Sequence, residues 1–297
     1  MDGTEEAQER LTGLFNIVVT PFSADGDLLT SALAENIERV ISLGYDGCLI
    51  GGTYGEFPSM AADERAELFD LSVKAVAGRV PVMLCSAGSD PRTVRELTVL
   101  ASDLGGIPMV TAPFVSEITD AQIVEFFQSV APLSRQGIVV YNAPGIGITL
   151  SARLIAELAD IPGVVAVKQG DLSPTTVDTL VGTVGGRIRL FCASDLTFLG
   201  PVAAGFDGVS STNACAIPEL ILQTYRAITD GDAVRAGQLH RSWYPLRDLA
   251  RRYGQPQTTK AAMAARGYQG GSVRPPLCDL GEVAGREVRA TIAAIIQ

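Results

Sequence analysis

The sequence predicts a (β/α)8 barrel, the TIM-barrel architecture, with a C-terminal helical extension. Three observations carry that reading. Eight short aliphatic runs recur about every 20 to 35 residues, the length of one strand–helix unit. The runs are continuously apolar rather than alternating, the pattern of parallel strands buried on both faces. Between them lie longer stretches with apolar residues at helical spacing. An open doubly wound sheet is the alternative. No GxGxxG follows the first run, however, and GIGITL at 145–150 follows the fifth and lacks the third glycine.

Taken in order, the expected strands are FNIVVT (15–20), GCLIGG (47–52), PVMLCSAG (81–88) and IPMVTA (107–112). GIVVYN (137–142), GVVAVK (163–168), IRLFCA (188–193) and DGVSST (207–212) complete the eight. SALAENIERVISLG reads as a helix because Leu33, Ile37, Val40 and Ile41 recur at helical spacing. AADERAELFDLSVKAVAG and DAQIVEFFQSVAPL read the same way. After residue 230 the alternation stops. AVRAGQLHRSWYPLRDLARRYG, TTKAAMAARGYQG and GEVAGREVRATIAAIIQ are helical patterns with no strand between them, and GGSVRPPL (270–277) is a proline-interrupted linker. The expected organisation is a flexible N-terminus over residues 1–11, a barrel over 12–230 and a helical extension over 231–297.

Composition narrows the function. The 297 residues suit one large barrel, since such domains run to about 250 residues. Apolar residues make up 47% and charged residues 19%, so the chain can bury a large core. A net charge of −10 would repel a phosphate backbone, which argues against a nucleic-acid partner. No apolar run approaches the 18 or so residues of a membrane span, and the acidic start MDGTEEAQER is unlike a signal peptide. The cysteines Cys48, Cys85, Cys192, Cys215 and Cys278 form no CxxC pair, and a reducing cytoplasm is expected. A single histidine, His240, makes a histidine-rich metal site or a serine–histidine triad unattractive.

Lysine and arginine total 23, of which only Lys74, Lys168 and Lys260 are lysines. Lys74 and Lys260 sit in polar-faced helical contexts and are expected at the surface. Lys168 ends the sixth apolar run, and barrel active sites form at that end of the strands. Partial desolvation there would lower its pKa and supply the neutral amine that attacks a ketone. The structural alternative is a lysine reaching solvent or pairing with Asp171. Tyr141 ends the fifth run, one strand spacing of about 4.8 Å away, and could relay protons or merely cap a loop. Gly51 to Phe57 form a glycine-rich turn after the second run. There Gly52, Thr53 and Tyr54 could hold a carboxylate through N–H and hydroxyl groups, with Glu56 ordering the loop. Ser194 or Asp195 is expected to cap a helix, and Ser210 to line the mouth. Cys85 and Cys192 read as core residues.

These motifs resemble the dihydrodipicolinate synthase/N-acetylneuraminate lyase family. The turn GTYGE (52–56), YNAPG (141–145) and the lone lysine ending strand six stand in the family's order, with TPF (20–22) and the helical tail in support. The resemblance spans about residues 12–295. It implies a lysine imine with pyruvate or a related 2-oxo acid at Lys168, a proton relay at Tyr141 and carboxylate binding at Thr53. It also implies a cytoplasmic homotetramer with no metal or organic cofactor. Four positions depart from the synthases: Tyr54 for a threonine, Ile146 for the arginine after the YNxP motif, Val115 for a relay tyrosine, and Gln169 for a glutamate. GEFPS is loosely similar to the sugar-acid aldolase and dehydratase branches.

The expected activity is therefore that of a class I aldolase or lyase acting on a 2-oxo acid and an aldehyde. Alternatives are an authentic dihydrodipicolinate synthase, a catalytically silent oxo-acid-binding barrel, and a pyridoxal-phosphate enzyme using the same lysine. With Ile146 in place of arginine and Arg153 placed inside the next helix, the mouth is expected to lack a cation. It should then favour an uncharged aldehyde, with Ile146 and Val115 against its less polar part.

Overall fold

A computed structural model describes residues 3–296, and Met1, Asp2 and Gln297 lie outside the described residues. Eight parallel strands close into a barrel in chain order. They are β1 (Gly13–Ile17), β2 (Gly47–Ile50), β3 (Val82–Cys85), β4 (Ile107–Thr111), β5 (Ile138–Asn142), β6 (Val164–Gln169), β7 (Arg189–Cys192) and β8 (Gly208–Ser211). Each falls on an expected run. β1 begins earlier than its run because Gly13 pairs with Gly208 to close the barrel.

The first helix, α1 (Gly3–Arg10), occupies the segment expected to be flexible. Ala7 and the following Leu11 are buried with the barrel interior, and Gln8 exchanges hydrogen bonds with Arg187 and Arg189, so the helix is held against the barrel. Outer helices then alternate with the strands: α2 (Thr30–Ser42), α3 (Ala62–Val76), α4 (Pro91–Asp103), α5 (Asp120–Val130), α6 (Ala152–Leu158), α7 (Pro174–Val184), α8 (Leu199–Ala204) and α9 (Pro218–Thr229). Beyond them α10 (Ala233–Tyr253), α11 (Gln257–Ala265) and α12 (Glu282–Ile295) follow one another without a strand. No helix of the described residues is long and apolar enough to cross a membrane.

Strand periodicity divides the core in two. Cys48, Ile50, Leu84, Val110, Val140, Val167 and Leu190 join the layer of outer apolar residues. Ile17, Leu49, Met83, Met109, Val139 and Ala166 fill the barrel. Between β5 and β6 the register shifts: Ile138 pairs with Val164, but Val139 pairs with Ala166. The extra residue, Val165, is a bulge of the kind that re-aims the side chains beyond it. It brings Lys168 level with Tyr141 on the inward face.

Phe15 and Phe191 also fill the barrel, their rings edge to face with centroids 4.9 Å apart. Glycine on the neighbouring strands makes room for them. A Cβ at Gly47 would lie 2.4 Å from the Phe15 ring, and one at Gly208 would lie 2.4 Å from Phe191. Gly208→Ala should cost about 1–3 kcal/mol of stability by overpacking. Urea denaturation checks this, and an unchanged midpoint would mean that the rings move aside freely.

Candidate active site

Lys168 and Tyr141 come together as the strand ends require. They are register partners, and the lysine Nζ lies 4.3 Å from the centre of the tyrosine ring. Lys168 is only 2% exposed, and no carboxylate pairs with it among the described residues. Asp171, the partner considered for it, is instead engaged by Ser173 and Thr176. Burial without a counter-charge lowers the Lys168 pKa to about 8. Burial also raises that of Tyr141, so its phenol stays protonated. The Tyr141 hydroxyl shares a hydrogen bond of 2.9 Å with Thr53 Oγ1.

Thr53 opens a short 3₁₀ turn, Thr53–Gly55, directly after Gly52. The first N–H groups of such a turn have no acceptor within it, and here they lie beside the Thr53 hydroxyl. Gly52 approaches the barrel interior closely, since a Cβ there would meet Leu49 at 2.8 Å. The turn ends on Glu56, whose φ of 62° is left-handed. Glu56 is buried and accepts from Lys260 Nζ at 2.5 Å and from the Arg274 amide at 3.0 Å. Lys260 was expected at the surface, and this is corrected: its ammonium also donates to the carbonyls of Thr20 and Ser272. Its face of α11 meets the turn that supplies its counter-charge. Lys74 does lie at the surface, paired with Asp70.

A cavity of about 170 Å³ opens above these groups. Thr53, Tyr54, Tyr141, Ile146, Lys168 and Ser210 all line it. Ser210 donates to the Cys192 carbonyl at 3.2 Å. Val115 is 48% exposed and does not line the cavity of this chain. Asn142 and Gln169 are tied to each other and to the loop after β5 through Leu150, which places them in support of the strand ends. Neither Ser194 nor Asp195 caps a helix, because α8 begins only at Leu199. The Ser194 hydroxyl accepts from Leu196 N, and Asp195 Oδ2 from Ser211 and Asn213. Cys85 and Cys192 are core residues, the latter with its thiol pushed up to about 12 by burial. His240 packs edge-on to Trp243 and lies outside the cavity.

The cavity also takes residues that the strand pattern did not single out: Thr212 beyond β8, Arg247 on α10 and Gln255 before α11. The expectation of a mouth without an arginine is corrected by Arg247. Arg153 does lie in α6, paired outside with Asp120 and Glu157.

Fold and site together define a barrel enzyme of the carbon–carbon lyase class. The model of the dihydrodipicolinate synthetase family matches residues 10–295, and the chain belongs to that family. It is 27% identical to the 4-hydroxy-tetrahydrodipicolinate synthase 1 of Halalkalibacterium halodurans over 278 residues, 93% of this chain and 94% of that protein. It is 28% identical over 272 residues to the 4-hydroxy-tetrahydrodipicolinate synthase of Pediococcus pentosaceus, 91% of each chain. The dihydrodipicolinate synthase of Aquifex aeolicus superposes with a TM-score of 0.90 at 25% identity, covering 95% of this chain and 97% of that one.

With only three lysines, the titration of Lys168 is directly observable. After reductive methylation with ¹³C-formaldehyde, its resonance should titrate near pH 8, well below the value of about 10.4 for a lysine in a model peptide. The amine is mostly neutral above that pH and mostly ammonium below it. Titration of Lys168 at the model-peptide value would remove the case for a desolvated amine.

Proposed function

We propose that the protein is a class I aldolase or lyase that makes or breaks a carbon–carbon bond through an imine between Lys168 and pyruvate or a related 2-oxo acid. The observation that carries this reading is a lysine buried at the barrel mouth with no carboxylate to hold its proton, beside a phenol. The neutral amine attacks the ketone carbon, water leaves, and the protonated imine draws electrons from the bond between the α- and β-carbons, which leaves an enamine and frees the aldehyde. The carboxylate next to that ketone fits the Thr53–Tyr54 turn, which reaches Tyr141 through the Thr53 hydroxyl. A phenol that stays protonated works as a two-way relay. It takes the proton of the aldol hydroxyl as it passes its own to Thr53, whose hydroxyl proton passes on to water at the cavity mouth, and the chain runs in reverse during condensation. The same reading carries a cytoplasmic homotetramer that uses no metal or organic cofactor.

A second reading, an authentic 4-hydroxy-tetrahydrodipicolinate synthase, is favoured by the names of the relatives. Comparison of kcat/KM for aspartate semialdehyde with that for other aldehydes, charged and uncharged, separates the two, since only the synthase is expected to turn over aspartate semialdehyde best.

Two variants test the chemistry. Pyruvate and borohydride should leave one reduced adduct on the peptide containing Lys168, and Lys168→Ala should lose adduct and turnover while staying folded. Mass-spectrometric labelling at Lys74 or Lys260 instead would sink the assignment. Tyr141→Phe should lose about 10²- to 10⁴-fold in turnover yet still form the adduct. Near-normal turnover in that variant would make Tyr141 structural and Tyr54 the next phenol to test.

A further inference from the structure

Arg247 reaches the same cavity as Lys168 from the helical extension. Its side chain is 14% exposed, much like Arg266 at 16% and Arg274 at 15%. Those two arginines are satisfied. Arg266 grips both oxygens of Glu219, and Arg274 grips both oxygens of Glu64 together with the Gly26 and Ser59 carbonyls. Arg247 has only Asp195 Oδ1 at 3.6 Å from Nε, too far for a hydrogen bond. Its buried Nε has no acceptor among the described residues. Asp195 cannot close on it, because Oδ2 is held by Ser211 Oγ at 2.7 Å and by the Asn213 amide and side chain at 3.2 and 3.0 Å. Beside it, Thr212 Oγ1 is buried and also unpartnered. Among the described residues, a planar fork of donors and a hydroxyl thus line one side of the cavity without hydrogen-bond acceptors, while Ile17, Ala143, Pro144 and Ile146 make apolar wall elsewhere.

Resting on the imine reading above, we propose that Arg247, with Thr212, receives a second carboxylate on the substrate, borne at the end away from the imine. The carboxylate beside the ketone is served by the Thr53 turn, which hydrogen-bonds the phenol next to Lys168. Arg247 enters from α10, on the side of Asp195 and Thr212 at the ends of β7 and β8, and meets the far end. The substrate class is then a 2-oxo dicarboxylate, or equivalently pyruvate plus an aldehyde that carries a carboxylate. A guanidinium recognises a carboxylate with two parallel hydrogen bonds, so the neutral analogue should be rejected.

Imine trapping tests this without knowledge of the natural aldehyde. Borohydride adducts on Lys168 are measured against concentration for pyruvate, for 2-oxoglutarate and 2-oxoadipate, and for the monocarboxylates 2-oxopentanoate and 2-oxohexanoate. The expected result is half-saturation at a concentration about tenfold or more lower for the dicarboxylate at one or both chain lengths. Arg247→Met should bring that ratio near one, and Arg247→Lys should keep part of it. Because each ratio is taken within one variant, loss of folded protein does not mimic the effect, and the wild-type ratio is decisive alone. No preference in the wild-type protein overturns the proposal. So does an Arg247→Met variant that keeps the preference, the outcome expected of a purely structural ion pair with Asp195. A uniform weakening of all five acids also overturns it, since Arg247 would then hold the carboxylate beside the imine. If pyruvate itself leaves no adduct on Lys168, the imine reading fails and this inference falls with it.

Discussion

The site depends on an amine buried without a counter-charge. A closed barrel leaves no sheet edge through which water can reach Lys168, and the apolar layers below it leave none beneath. The chain also contains the opposite arrangement. Lys260 is buried just as deeply, but Glu56 and two carbonyls surround its ammonium with acceptors. All three of its protons are engaged. One lysine is thereby a fastener and the other has no carboxylate partner among the described residues, and the difference lies entirely in what faces Nζ.

That fastener ties the helical extension to the barrel mouth. Glu56 ends the turn that holds Thr53, and it is gripped by Lys260 on α11 and by the amide of Arg274 beyond it. Arg274 in turn clasps Glu64 on α3. The extension also supplies Arg247 and Gln255 to the cavity wall. The barrel strands present the lysine, the tyrosine and the glycine-rich turn of Thr53, while the extension sets the position of that turn and the polarity of the far wall. The two parts form one site.

The strands were legible because burial on both faces writes continuous apolar runs into a sequence. Lys168 and Tyr141 were legible because each ends such a run, and Thr53 because it follows glycines at a strand end. The features that escaped the sequence share one physical cause: a partner distant along the chain. Lys260 looks like a surface residue until Glu56, 204 positions away, is brought to it. Arg247 is one of several cations on an arginine-rich helix, and nothing local marks it as the one turned inward. GTEEAQER carries too little apolar character to announce a helix, and it is Ala7 and the following Leu11, buried at the barrel, that fix it.

The offset between β5 and β6 has a consequence for how this chain can change. In a barrel wall every residue is either inside or outside, with no intermediate setting. The bulge at Val165 absorbs one extra residue and so keeps Lys168 an inside residue level with Tyr141. Lengthening or shortening a connection such as the loop after β5 alters the rim and leaves that assignment intact. Loss of Val165 would close the bulge into a regular ladder and leave the pairing of Lys168 with Tyr141 in place. One residue added between Ala166 and Lys168 would instead swap the lysine with its neighbour and send the amine among the outer helices. No side chain at the mouth would have been altered, yet the amine would be gone from the cavity. The stretch is therefore counted as well as composed: it can shorten by one residue but not lengthen.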